Sequence, residues 1–393
     1  MSKVVVVGAG INGVTAALEL KRRGHDLILI DPGPLPHWLA ASTDISKAVR
    51  STYGSDEDYT ELAERSVRLW REWNQEFGIR LYHEVGMMFV RRELMKAGDF
   101  EYESFELASR RGGRLTRLNG ESIREQFPAW SESAYQDGVL EWEAGYAESG
   151  LVVSTLASRA KKMGVVLREG ARFASLHKRS GRTCGVVLAD GEVVEADTVV
   201  MATGAWTPFL LPHTRTMFRA TGHAVFHFKP PDPAPFRPEC FPVFGADIST
   251  KGYYGFPLNR DGVVKIANHG PGREMSPESP ERNVTGEEEA RVREFVSSTF
   301  PGLANAPIVH TRICLYCDTH DGHFWFAPDP ERPGLIVAAG DSGHGFKFAP
   351  VLGGIIADVV EEKANPLTNK FRWRAEVRPG AEKEGARYLQ EWL

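Results

Sequence analysis

Cysteine is scarce. Four in 393 residues are too few to staple a chain of this length with disulfides. Long apolar runs are missing as well: Val4 to Val7 and Val351 to Ala357 are the longest, well short of the ~18 residues that cross a bilayer. No membrane span is expected. Positive charge is not in excess either, since 47 Lys+Arg against 52 Asp+Glu leave a net charge of -5. That balance argues against a nucleic-acid partner, which demands wholesale phosphate neutralisation, while leaving room for a small basic pocket. No internal repeat or low-complexity tract is present, and no cleavage-site pattern follows Lys3 before the first glycine turn. What remains is a cytoplasmic globular chain of two or three domains.

Glycine, by contrast, is plentiful and placed. Val4 to Val7 is a β-branched run suited to a strand buried on both faces. Ile11 to Arg23 carries helical spacing and stops at Gly24, and Asp26 to Ile30 is the next strand. A helix is expected from Glu57 to Phe77, with Leu62, Leu69, Trp70, Trp73 and Phe77 on one apolar face. Leu81 to Arg91 reads as extended, and Gly150 to about Met163 as helix. Short strands follow over Val165–Leu167, Arg172–Leu176, Cys184–Leu188 and Val193–Met201. The proline-rich stretch from Phe228 to Phe241 reads as a surface loop. Thr285 and Glu288 form a capping-box signature before a helix to Phe300. Leu335 to Ala339 is a last buried strand and Pro350 to Lys363 a last helix. Strands and helices alternate at both ends but not in the middle. The expected fold class is α/β (α+β overall), one domain built from separated segments with a mainly β domain inserted.

Gly8-Ala9-Gly10-Ile11-Asn12-Gly13 follows a strand, opens a helix and precedes an acid, Asp31, at the end of the second strand. In that context G-x-G-x-x-G reads as a dinucleotide fingerprint. Gly8 permits the tight turn, Gly10 close approach of backbone to a pyrophosphate, and Gly13 close helix–strand packing, while the helix N-terminus favours phosphate. Asp31 can accept ribose hydroxyls. A second strand ends in Ala202-Thr203-Gly204, and a further glycine loop, Gly340-Asp-Ser-Gly-His-Gly345, precedes a helix. A helix dipole there suits negative charge near a flavin pyrimidine, which favours FAD over a nicotinamide.

Beyond the fingerprint, the strings SKAVRSTYG, VVMATGAW, YYGFP followed by GVVKIANHG, RICLYCDT and GDSGHGFKF occur in order. With them the sequence resembles the monomeric sarcosine oxidase group, which includes N-methyltryptophan oxidase, pipecolate oxidase and the fructosyl amino acid oxidases (amadoriases). The resemblance implies a glutathione-reductase-type FAD-binding Rossmann domain (1–86, 146–219 and 306–393) with an inserted antiparallel β-sheet substrate domain (87–145 and 220–305). It also implies oxidation of an N-substituted amino acid to an imine that hydrolyses, with O2 reduced to H2O2. Amadoriase-type deglycation and a flavin dehydrogenase with another electron acceptor stand as alternatives. Partners are then a small amine substrate and O2, with a monomer favoured.

By the same resemblance, Cys314 matches the cysteine that carries the flavin, and Lys265 the lysine that promotes reaction with oxygen. His269 is a second polar residue of that cavity and Tyr254 a substrate-side position. Arg50 and Lys347 match the cations that clamp the substrate carboxylate, with His344 beside them. Lys47 stands where sarcosine oxidases tend to have arginine, which leans toward amadoriases. The implied cofactor-binding set is Gly8, Gly10, Ile11, Asn12, Gly13, Asp31, Ser42, Lys47, Phe173, Ala202, Gly204, Trp206, Cys314, Gly343, Gly345, Phe346 and Lys347.

Competing readings of the same residues are weaker. Cys314 and Cys317 with His320 and His323 could be written as a zinc set, but no second C-x-x-C exists and residues three apart on a strand face opposite ways. No metal is expected. Trp206 by itself reads as core, and Trp70 and Trp73 as packing. If residues 46–51 form a helical turn, Lys47 and Arg50 share a face; if they are extended, only Arg50 reaches the substrate.

Overall fold

The computed structural model describes residues 1–131 and 135–374; the last part of the expected nucleotide-binding segment, 375–393, lies outside them. Val4 to Val7 are almost wholly buried because helices cover one face of their sheet and a meander of three strands, Phe173–Arg179, Arg182–Leu188 and Val193–Glu195, packs on the other. That six-stranded sheet runs Trp325–Pro328, Leu335–Ala339, Thr198–Met201, Lys3–Val7, Asp26–Asp31, Val166–Glu169. All its pairings are parallel except the first. Lys3–Val7 lies between a strand next in sequence and one nearly two hundred residues later, so a crevice opens at its carboxyl end, where ligands bind in such sheets.

Local chemistry sets the helix limits. Glu57–Phe77 starts at Asp56, whose side chain accepts from the Tyr59 amide, and stops at Gly78 in the left-handed region (φ 62°). The Thr285–Glu288 capping box is formed as the sequence predicts, at the head of Gly286–Thr299. Val193–Met201 splits into Val193–Glu195 and Thr198–Met201, because the first finishes a meander and the second enters the parallel sheet. Trp70 is fully buried, but its indole also donates to the Lys347 carbonyl at 2.7 Å, so it ties a helix to the 340–347 loop besides packing.

A nine-stranded sheet forms the second layer. Along it lie Arg273–Glu274, Phe218–Phe228, Val264–Asn268, Tyr253–Phe256, Val243–Ala246, Met87–Arg91, Asp137–Glu141 and Leu115–Asn119, with Ile308–Thr319 on the other edge of Phe218–Phe228. It is antiparallel apart from Val243–Ala246 against Met87–Arg91. One face packs on the helix Gly286–Thr299 through Phe226, Phe244, Ile266, Ile313 and Leu315. The other carries Val225, Ala267, Cys314 and Tyr316 and looks toward the Rossmann layer.

Here the sequence reading needs correction. The segment 306–393 was expected to belong whole to the nucleotide domain, yet Ile308–Thr319 pairs with Phe218–Phe228 almost end to end. The strand bearing Cys314 is thus part of the large sheet, held by its ladder, and only the chain after it returns to the parallel sheet.

Candidate active site

The fingerprint loop folds as close packing requires. Gly8 sits at φ +95°, and a Cβ there would lie 2.5 Å from the Ala202 carbonyl oxygen. A Cβ on Gly13 would lie 1.8 Å from the Gly8 oxygen, so helix and turn approach only because both are glycine. Above the turn is a cavity of about 270 Å³ lined by Gly8, Gly10, Ile11, Asn12, Asp31, Ser42, Phe173, Ala202, Gly204 and Trp206. Ser42 accepts from the Ile11 amide at 3.0 Å, bringing the 37–43 loop over the helix start. Trp206 is half-buried on the cavity wall, its indole donating to Glu278 at 3.1 Å; the core placement read from sequence is corrected by that polar partner.

The donors and acceptors around this cavity fit FAD. Asp31 accepts from the amides of Ala9 (2.8 Å) and Gly33 (3.1 Å), which leaves lone pairs on both oxygens for ribose hydroxyls. Burial raises its pKa against those two bonds. Asn12 donates to Asp341 at 2.8 Å, while its buried Oδ1 has no partner among the described residues, an acceptor waiting for a donor. Asp341 borders the same cavity, and burial pushes its pKa up to about 6.

A second cavity of about 80 Å³ is lined by Lys47, Arg50, Tyr254, His269, Tyr316, His344, Phe346 and Lys347, with Met87, Phe89 and Phe256 among its apolar walls. Residues from five distant stretches meet here. Arg50 is buried, donates to the Thr52 carbonyl and lies 4.5 Å from the Tyr53 ring centroid. Lys347 donates to the Tyr53 hydroxyl at 2.9 Å and to the His344 carbonyl at 2.8 Å. The same hydroxyl is 3.1 Å from His344 Nδ1. Tyr53 therefore couples the two clamp regions. Its place in SKAVRSTYG, three residues after Arg50, was the available signal. Glu141 fixes this stretch by accepting from the Ser51 amide (2.7 Å) and the Thr52 hydroxyl (2.9 Å).

Lys47–Val49 is extended and pairs with Gly145–Ala147. The extended alternative was expected to turn Lys47 away from the site, but both Lys47 and Arg50 line the cavity. Strand alternation stops at Val49, so it does not govern Arg50.

Lys265 and Cys314 line neither cavity and lie in the wall beside Lys47. Lys265 is 1% exposed and donates to Asp44 and to the Ser46 carbonyl, each at 2.6 Å. Its ammonium also sits 4.6 Å from the Phe256 ring centroid. Lys47 Nζ is 3.4 Å from Cys314 Sγ and 3.6 Å from Asp44. Burial pulls Lys265 down to about 8 despite Asp44. Burial also opposes the Asp44 carboxylate, but Lys265 and then Lys47 hold its pKa far below the carboxylate range. For Lys47 the neighbouring Cys314 and Asp44 outweigh burial and raise its pKa. Asp44, three residues before Lys47, was not singled out from sequence: an acid beside a lysine reads as a surface pair until the fold buries both. His269 is buried with its ring 6.1 Å from Tyr254 and 5.8 Å from Tyr316. Gly343 lines this second cavity, and Gly345 packs on Asp341, where a Cβ would lie 2.7 Å from the carboxyl carbon. Cys317 faces the opposite way, into the cluster with Phe218 and Trp325, and burial pushes its thiol far up.

Residues 3–359 match the model of the DAO family, described as FAD dependent oxidoreductase. Monomeric sarcosine oxidase of Streptomyces avermitilis is 30% identical over 371 residues, covering 91% of this chain and 92% of that protein. L-Saccharopine oxidase of Schizosaccharomyces pombe is 28% identical over 413 residues, covering 94% and 93%. Among solved structures, the fructosyl amine:oxygen oxidoreductase (amadoriase I) of Aspergillus fumigatus superposes with a TM-score of 0.82 at 25% identity, covering 99% of this chain and 96% of that one. The glycine cradle and the match across nearly the whole chain lead to one statement: this chain belongs to the DAO family of FAD-dependent oxidoreductases.

Proposed function

We propose that this protein oxidises the C–N bond of N-substituted α-amino acids and passes the electrons to O2, giving H2O2. The observation that carries the reading is the second cavity: three cations, Lys47, Arg50 and Lys347, stand among aromatic walls beside a buried lysine–carboxylate pair. A carboxylate entering a site with apolar walls needs charged partners. Arg50 offers a planar fork and Lys347 a point charge. Tyr254 and Phe256 hold the rest of the substrate, and the site favours a neutral amine, because its cations repel an ammonium. When bound, the flavin supplies the two-electron acceptor. Lys265, kept cationic by Asp44 at neutral pH, stabilises negative charge developing on oxygen in a water-poor setting.

Cys314 is assigned to a covalent link with the flavin. Its sulfur lies against the Lys47 ammonium, on the sheet face that looks toward the Rossmann layer. Acid-precipitated protein is expected to stay yellow, and Cys314→Ala to release its flavin. Lys47 also supports a second reading, an amadoriase-type oxidase of fructosyl amino acids, since a flexible ammonium can meet sugar hydroxyls where a guanidinium would be held by the carboxylate. A peroxide-coupled screen of sarcosine, other N-methyl amino acids, pipecolate, proline and fructosyl amino acids separates the two. Turnover confined to hydroxy acids with an electron carrier contradicts both.

A further inference from the structure

Lys265, His227 and His310 occupy one row across three hydrogen-bonded strands. His227, in Phe218–Phe228, is paired with Lys265 on one side and with His310 on the other. Paired residues project from the same face, so the three side chains run in line from interior to surface. Lys265 and His227 are buried and His310 is exposed. The two imidazole rings lie 5.0 Å apart between centroids. Asp44 stands across the inner end with one oxygen for each neighbour: Oδ2 is 2.6 Å from Lys265 Nζ, and Oδ1 is 4.0 Å from His227 Nε2. Among the described residues, that buried ring nitrogen has no hydrogen-bond partner. Packing alone does not call for an imidazole there, because an apolar side chain would fill the space without stranding a nitrogen.

We propose that His310 and His227, acting through Asp44, carry solvent protons to Lys265 during reaction with O2. The inference rests on the oxidase reading above. Reducing O2 to H2O2 consumes two electrons and two protons. Both electrons and one proton arrive with the reduced cofactor; the other proton leaves Lys265 Nζ. The lysine is then neutral, and Asp44 loses the main cation that suppressed its basicity. Asp44 takes a proton at Oδ1 from His227 Nε2, and its carboxyl turns to hand that same proton to the lysine. His227 accepts a replacement at its other nitrogen from the His310 side, and water refills His310. One solvent proton thus replaces the one that oxygen took. A neutral imidazole, with one nitrogen donating and the other accepting, is the form this transfer uses. Burial keeps His227 neutral, its pKa drawn down to about 4 against the pull of Asp44, with Lys265, His310 and Arg312 the other charged or titratable groups facing it. Both histidines act through other groups and are positioning residues for the reaction.

Lys47, 3.6 Å from Asp44 on the substrate side, is the competing entrance, and an occupied chamber closes it. The test uses the flavin-loaded enzyme with His227→Gln, which cannot switch tautomers, His310→Ala at the exposed end, where packing is not at stake, and Lys47→Met. Rapid-mixing reoxidation is expected to slow ~10-fold or more in both histidine variants, most strongly at high pH where protons are scarce. Added imidazole should restore His310→Ala. A readout independent of turnover is ¹⁵N NMR of the histidine rings, in which Asp44→Asn should change the tautomer balance and titration of His227. Reoxidation at the wild-type rate and pH profile in both histidine variants, loss confined to Lys47→Met, or a His227 ring indifferent to Asp44→Asn each overturns the path. Wild-type enzyme that amines reduce but O2 fails to reoxidise overturns the oxidase reading, and the path with it.

Discussion

The cofactor cradle and the substrate chamber are built by opposite means. The cradle is made of backbone: Gly8, Gly10 and Gly13 lie within six residues, and its shape follows from what those positions omit. The chamber is made of side chains contributed by the 44–53 stretch, the 254–269 strands, the Ile308–Thr319 strand and the 343–347 loop. A cradle of backbone accepts any cofactor with the same phosphates and ribose, whereas a chamber of charged side chains is where substrate choice resides. Substitutions in the first are therefore expected to decide whether the flavin is held, and substitutions in the second which half of the reaction survives.

The largest effect falls on the cradle. Gly13→Ala places a methyl group within 1.8 Å of the Gly8 carbonyl oxygen, and neither helix nor strand can yield. The purified variant is expected to lack flavin absorbance, whatever is done to the chamber. A yellow Gly13→Ala protein would break the comparison at its first point.

Next comes Lys265→Met. Reoxidation by O2 should slow by about 10²–10³-fold, the usual cost of losing one charge-stabilising group, while anaerobic reduction by substrate stays close to wild type. Equal damage to both half-reactions would move Lys265 into substrate binding. Arg50→Ala or Lys347→Ala should instead weaken amino-acid substrates, since removing one partner of a buried charge pair costs roughly 3–5 kcal/mol. A decarboxylated amine, poor with wild type, should be indifferent to either change. Inhibition constants for simple carboxylates check this directly.

A smaller test uses acid titration, with opposite signs in the two regions. The pKa of Asp44 is depressed on folding, so its contribution is present above the unfolded value near 3.8 and is lost as pH falls below it. Asp341, raised to about 6, opposes folding increasingly as pH climbs from 3.8 to 6 in protein stripped of flavin. Asp341→Asn should therefore stabilise the stripped protein above pH 6, and Asp44→Asn should destabilise it there and flatten the acid limb. Denaturant midpoints across pH read both. Shifts of the same sign would contradict the assignment of one group as dominated by its cations and the other as dominated by desolvation.

The same contrast explains what the sequence disclosed. Val4–Val7, the glycine turn, Asp31 and the Glu57–Phe77 helix are local, and their periodicity and caps suffice to read them. Phe218–Phe228 escaped because it is buried on both faces over most of its length, which erases alternation, and its mix of Thr, Gly and His carries no strand signature. Asp44 meets Lys265 across 221 positions, and no spacing rule reaches that far. The motif resemblance drew attention to Lys265, Arg50 and Cys314, but not to Asp44, Tyr53, Glu141 or Asp341, which act through the residues they hold. Trp206 was misread because a tryptophan after a buried strand has no sequence mark for its Glu278 partner.

The central claim is that the chamber binds an N-substituted amino acid by its carboxylate and that the electrons reach oxygen. One anaerobic titration followed by admission of air tests it directly. The account predicts that such a substrate bleaches the bound flavin, that air restores the colour with one H2O2 formed per flavin, and that the decarboxylated amine at equal concentration does neither. Bleaching by the decarboxylated amine as readily as by the amino acid, or a reduced flavin that air leaves colourless, would contradict it.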